Sequence, residues 1–118
     1  MIRALGMMSG TSMDGVDAAL IDTDGSDIEG FGRSGFLPVS DNEAAILDAA
    51  RGLWPGDPGV AHAAAISETA HVQLAADFPE AQLIGYHGQT LAHDPRGRGT
   101  HQAGDGAALA RRMPRATR

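Results

Sequence analysis

The chain contains neither cysteine nor lysine. Without cysteine it can form no disulfide and no thiolate metal site. Without lysine it cannot build a P-loop, whose Gly-Lys-Ser/Thr lysine reaches the nucleotide phosphates. Aromatic residues make up only 4% of the sequence, so its core must be assembled largely from Ala, Val, Ile and Leu. Positive charge is scarce as well. Nine basic residues, all arginine, face fifteen acidic ones, for a net charge of −6. That balance argues against nucleic acid or an anionic membrane as a partner, since both need clustered positive charge. No apolar run approaches the roughly 18 residues of a membrane span. The N-terminus has Arg3 but lacks the long apolar segment of a secretory signal. A cytoplasmic protein is the expectation these absences leave.

What remains is 118 residues, 42% of them hydrophobic, enough for one domain with a thin core. Residues 1–8 read as an apolar strand, and small polar residues interrupt at Ser9–Gly15. A second strand covers residues 16–23, and Asp24-Gly25 signals a turn. A third, broken by glycines, covers residues 26–39. Ser40 with Glu43 has the spacing of a capping box, opening a helix that runs to about Ala50. A Pro/Gly loop over residues 53–59 precedes a second helix, about Val60 to Asp77. Its Ala63, Ile66, Ala70 and Leu74 share one face. Residues 82–86 read as a short buried strand, 87–106 as largely aperiodic, and 107–112 as the start of a third helix. Strands, then helices, then a strand indicate an α/β fold with a mixed β-sheet and flanking helices. Met7, Met8 and Met13 read as core filling, and His62 and His71 as surface or partly packed helix residues.

Three clusters could carry chemistry. The first is Met8-Ser9-Gly10-Thr11-Ser12-Met13-Asp14-Gly15-Val16-Asp17. Its glycines allow a tight turn and close ligand approach, and successive turn N–H groups can form an anion-binding nest. Asp14 and Asp17 repel phosphate but can hold a hydrated divalent cation that bridges to it. The plain alternative is an ordinary Gly/Ser/Asp turn. The second cluster is Gly85-Tyr86-His87-Gly88-Gln89-Thr90, placed after a strand. His87 and Gln89 each offer a donor and an acceptor for sugar hydroxyls, or serve as structural hydrogen-bonders. The third is Thr100-His101-Gln102-Ala103-Gly104-Asp105-Gly106. Asp105 either accepts from a sugar hydroxyl or caps the following helix. His87 and His93 fit no zinc-binding helix spacing, and Gly104-x-Gly106 lacks the third glycine of a dinucleotide fingerprint. The sequence points to no metal held directly by side chains.

In order and spacing, Met8–Asp17, His87-Gly88-Gln89-Thr90 and Gln102-Ala103-Gly104-Asp105 resemble the anhydro-N-acetylmuramic acid kinases over residues 3–112. Met13 stands where that family commonly has Leu, and Tyr86 where it has Ser. The resemblance implies part of the N-terminal lobe of an actin/hexokinase/Hsp70-like (ribonuclease H-like) ATPase fold. On that basis residues 1–112 form an incomplete sugar-kinase lobe and 113–118 an unmatched basic tail. It implies a phosphotransferase acting in peptidoglycan recycling and amino sugar metabolism. ATP, water and Mg2+ would serve to open 1,6-anhydro-N-acetylmuramic acid and give N-acetylmuramic acid 6-phosphate. Gly10, Thr11, Ser12, Met13, Asp14, Gly15, Val16 and Asp17 would form the first phosphate hairpin, and His87, Gln89 and Asp105 would face the sugar. A homodimer is what the resemblance suggests for full-length members. The family's catalytic aspartate lies beyond the matching stretch, so no catalytic residue is assigned. A truncated or frameshifted product, inactive by itself, is the corresponding expectation. The alternative is a non-catalytic module that binds muramyl sugars or nucleotide.

Overall fold

A computed structural model describes residues 1–113; residues 114–118 of the basic tail lie outside them. Five strands and three helices follow the order β1 (Ile2–Ser9), β2 (Gly15–Thr23), β3 (Ile28–Pro38), α1 (Asp41–Ala49), α2 (Val60–Ala75), β4 (Leu83–Asp94), β5 (Gly99–Ala103) and α3 (Gly106–Arg112). The strands form one sheet in the order β3-β2-β1-β4-β5. β4 runs parallel to β1 and every other neighbouring pair is antiparallel. The chain is therefore α/β with a mixed sheet, as expected, and the arrangement agrees with the lobe the resemblance implies.

Local chemistry explains most of the elements. Alternation in β1 buries Leu5, Met7 and Ser9 and exposes Gly6 and Met8. The β2–β3 turn closes on the Asp24 carboxylate, which accepts from the amides of Ser26 and Asp27, each at 2.8 Å. These two bonds hold the Asp24 carboxyl below its usual pKa, Asp27 contributing most. The capping box at α1 is present. Ser40 Oγ accepts from the Glu43 amide at 3.1 Å, and Glu43 Oε1 accepts from the Ser40 amide at 3.0 Å. α2 starts as expected and stops at Ala75, two residues early.

The stretch 87–106 departs from expectation. β4 continues through it to Asp94 and turns back as β5. Two features hide this strand from a period-2 reading. Gly88 adopts a left-handed φ of 84°, and the register shifts between Thr90 and Ala92.

The helices α2 and α3 cover one sheet face, where Leu5, Met7, Val16, Ala18 and Leu20 meet Ala70, Leu74, Phe78, Leu109 and Met113. A second cluster joins α1 and α2 to the end of the sheet through Met13, Leu47, Val60, Ala63, Leu91 and Ala103. Two core assignments need correction. Met8 is 49% exposed, because alternation turns it to the uncovered side. His71 is fully buried, because its position on α2 points at β4. The uncovered face is a trough of about 860 Å3 floored by Gly6, Ala19, Ser34 and Gly85 beside Met8 and Phe36. Phe36 pairs with Asp17 and Phe31 with Ile21, which puts both rings on this side; Phe31 is 83% exposed. Among the described residues no helix is long and apolar enough to cross a membrane.

Candidate functional site

The three sequence clusters meet on adjacent strands. Ser9 of β1 pairs with Gln89 of β4, and Gln89 pairs with Ala103 of β5. The parallel crossover from β1 to β4 thus lays residues eighty positions apart side by side at one level of the sheet. The loop Gly10–Asp14 sits at the C-terminal end of β1, the end of a parallel strand at which α/β folds favour ligands.

Gln89 organises this level. It is completely buried. Its Oε1 accepts from the Ser9 hydroxyl. Its Nε2 donates to the Gly10 carbonyl at 2.7 Å and to its neighbour Thr90's carbonyl at 3.1 Å, and lies 3.1 Å from the Met13 sulfur. The Ser9 hydroxyl also lies 3.0 Å from the Gly15 carbonyl. One amide side chain therefore ties the start of the loop at Ser9 and Gly10 to β4 and also contacts Met13 within it. Met13 takes a left-handed φ of 57°, uncommon for a residue with a side chain. Its thioether is buried in the second core cluster, an anchor that offsets the strain. Burying Met13 turns Thr11, Ser12 and Asp14 outward, and all three are exposed. Ser12 Oγ donates to Asp14 Oδ1 at 2.6 Å, and the Asp14 carbonyl accepts from the Val39 amide at 3.1 Å. A Cβ on Gly15 would overlap the Leu37 carbonyl oxygen and the Phe36 ring, so β3 requires glycine there. Val16 is buried in the core and Asp17 lines the trough.

His87 is exposed beside the trough, with Gln102 Nε2 at 2.7 Å from its Nε2. Asp105 caps α3, its Oδ1 accepting from the Ala107 amide at 2.9 Å. The Asp105 amide donates to Glu68 Oε1 at 2.8 Å, tying this turn to α2. The structure thus brings Gly10–Asp14 and Gln89 into one cluster and sets His87 and Asp105 beside it, on the trough and at the start of α3.

Sequence reasoning gave no functional role to His71 and Tyr86, which lie beneath the site. His71 Nδ1 lies 2.6 Å from the Ser67 carbonyl, its Nε2 has no hydrogen-bond partner, and its ring meets Tyr86 edge-on at 4.9 Å. Burial pushes the His71 pKa down, against the Ser67 bond that favours its proton. Burial likewise pushes the Tyr86 phenol up to about 12, with Glu68 and Asp105 adding to the shift. Trp54 also escaped notice, although a lone tryptophan inside a Pro/Gly loop is a signal in itself. Among the described residues no group of three or more His, Cys, Asp or Glu side chains is arranged to hold a metal.

The family model described as anhydro-N-acetylmuramic acid kinase matches residues 2–116. A kinase of that name from Cereibacter sphaeroides is 56% identical over 112 residues, covering 95% of this chain and 30% of the relative. The Ruegeria relative of the same name is 54% identical over 114 residues, with 97% and 30% covered. The Acidiphilium cryptum relative is 46% identical over 114 residues, with 92% and 32% covered. The chain thus spans about 30% of the length of the first two relatives. A match over nearly all of its residues, through the strands and loops that assemble this site, shows that the chain belongs to the anhydro-N-acetylmuramic acid kinase family.

Proposed function

We propose that Gly10–Asp17 grips the phosphates of ATP in an anhydro-N-acetylmuramic acid kinase reaction in the cytoplasm. In that reaction water adds to the anomeric carbon and its bond to O6 breaks. O6 then accepts the γ-phosphoryl group, giving N-acetylmuramic acid 6-phosphate and ADP. The observation that carries the reading is the fixed loop. Gln89 fastens its start at Ser9 and Gly10 and contacts Met13, while Thr11, Ser12 and Asp14 point outward. A loop held this way offers main-chain amides and hydroxyls to an anion with little ordering cost on binding.

The donor set suits a magnesium ion that arrives with the nucleotide. Such an ion keeps several waters and needs only one or two carboxylates, and exposed Asp14 and Asp17 can meet it through water. When bound, the ion neutralises charge on the phosphates. Gln89 serves in this reading by holding the loop, with its own amide turned inward. His87 and Asp105 are the groups left to meet a sugar hydroxyl.

Calorimetric titration with ATP–magnesium tests the hairpin assignment. A Cβ on Gly10 would meet nothing within 4 Å, so Gly10→Val should fold normally while blocking close phosphate approach. Affinity should fall at least about tenfold with an unchanged melting curve. Equal affinity in the two proteins would overturn the assignment.

A further inference from the structure

Among the described residues seven large apolar side chains are exposed. Six of them, Ile2, Met8, Ile28, Phe31, Phe36 and Leu83, lie on the uncovered side of the sheet, opposite the core residues Leu5, Met7 and Leu20. Asp17 is the only carboxylate on that side among the described residues, and no guanidinium joins it. A chain that is 20% charged thus keeps one face almost free of charge. Monomeric proteins rarely expose apolar patches larger than a few hundred Å2.

The face has relief. Strand register sets its residues in rows that run across the strands. Phe31, Ile21, Ala4 and Leu83 form one row, and Ser34, Ala19, Gly6 and Gly85 form the next. A ridge of large side chains therefore runs beside a groove of small ones, about 7 Å away. Met8 and Phe36 stand beyond the groove, and Ile2 and Ile28 beyond the ridge.

Ridge and groove fit each other in a second copy. A two-fold axis lying against the face, across the strands and midway between the two rows, sets each ridge into the other copy's groove. Leu83 then meets Gly85 of the second copy, and Ile21 meets its Ala19. The same axis lays Met8 on Ile2 and Phe36 on Ile28. Every contact is reciprocal, as a two-fold interface requires. The sheets stack about 10 Å apart with their strands nearly aligned, the usual arrangement of sheets packed face to face. Four strands and seven residues of strand length give a flat area of roughly 400 Å2 per copy. Side-chain relief carries this toward the roughly 600 Å2 per partner at which specific interfaces begin. That size suits a dimer that dissociates reversibly.

From this complementarity we infer that the uncovered sheet face pairs with a second copy of the chain, ridge into groove. The position opposite His87 falls before the start of β4, so His87 and the loop Gly10–Asp14 stay open. Asp17 comes opposite Thr23 of the second copy, which leaves Asp14 to meet an incoming cation. Such pairing is independent of the kinase reading.

Sedimentation equilibrium of the chain over a series of concentrations reads the association. The mean mass should rise from that of one chain to that of two and stop there. A single chain at every concentration, or growth past the dimer, would overturn the inference. Gly85→Leu separates pairing from plain apolar adhesion. A Cβ there meets only the Leu5 carbonyl oxygen, at 3.9 Å, so the sheet accepts it and the melting curve should not fall. The leucine enlarges the apolar face but fills the groove. The dimer dissociation constant should rise at least about tenfold, whereas an unchanged or lower constant would overturn the packing. Adding Leu83→Ala to Gly85→Leu moves the bulk from ridge to groove and should recover most of the affinity; no recovery counts against the contact. Gly6→Val, whose Cβ would meet nothing within 4 Å, repeats the groove-filling test on β1. Added salt should tighten the dimer, since it screens repulsion between two acidic chains. Weakening by salt would show that ion pairs, not this face, hold the copies together.

Discussion

Replacing Gln89 by leucine removes one amide and leaves most of the side-chain volume in place. The Ser9 hydroxyl keeps its contact with the Gly15 carbonyl at 3.0 Å, so its loss is small. The Gly10 carbonyl is left with only the Met13 amide at 3.5 Å, and the Thr90 carbonyl loses its contact with the Gln89 amide. Stranding a buried polar group costs about 1–3 kcal/mol, so the two carbonyls together give roughly 3 kcal/mol after leucine packing is counted. A domain of this size has about 5–15 kcal/mol in total, so the fold should persist. The melting temperature should fall by about 12 °C, at roughly 4 °C per kcal/mol. Thermal unfolding followed by circular dichroism reads the shift. Amide exchange at Met13 and Val39 should accelerate more than exchange in α2, because their bonds close the loop. Gln89→Glu provides the control. Its carboxylate can accept from Ser9 but faces two carbonyls with no donor, so this variant should gain stability as the pH falls and the carboxyl becomes a donor. A leucine variant that melts within about 2 °C of the parent, with unchanged exchange at Met13 and Val39, would refute the reasoning.

Gly88→Ala should cost at least about 2 kcal/mol, read as a lower urea midpoint. Its φ of 84° disfavours any side chain, and the new Cβ would lie 2.7 Å from the Ala103 carbonyl oxygen. His71 sets an acid limit. Its native pKa lies below the unfolded value, so between the two the unfolded chain binds a proton that the native state refuses. Stability is then complete above about pH 6.5 and falls as the pH drops, by at most about 1.4 kcal/mol per pH unit. His71→Leu should flatten this slope in urea melts between pH 7 and pH 5, and an unchanged slope would show that the burial of His71 is not its source.

Legibility in the sequence followed how local each cause was. The β1–β2 hairpin, the Asp24 turn and the capping box depend on residues close together in the chain, and all could be read. The second half of β4 could not, because Gly88 and the shift at Thr90/Ala92 break the alternation that marks a strand. α2 is so rich in alanine that its buried face stands out poorly, and His71 was therefore misplaced. At the site, the first motif was legible as a tight glycine-bearing loop between two strands. The inward turn of Gln89 was not. A glutamine among glycines looks available for a ligand, and only Ser9 and Gly10, about eighty positions earlier, show that it is engaged.

The trough has a practical consequence for handling the molecule. Two phenylalanine rings and a methionine share a sheet side with no helix over it, and apolar patches of this kind promote self-association. Sulfate and other strongly excluded solutes strengthen burial of such surface, so they should clump the protein before they damage its fold. Changing Phe31, the most protruding of these rings, to serine should raise the sulfate concentration at which turbidity first appears.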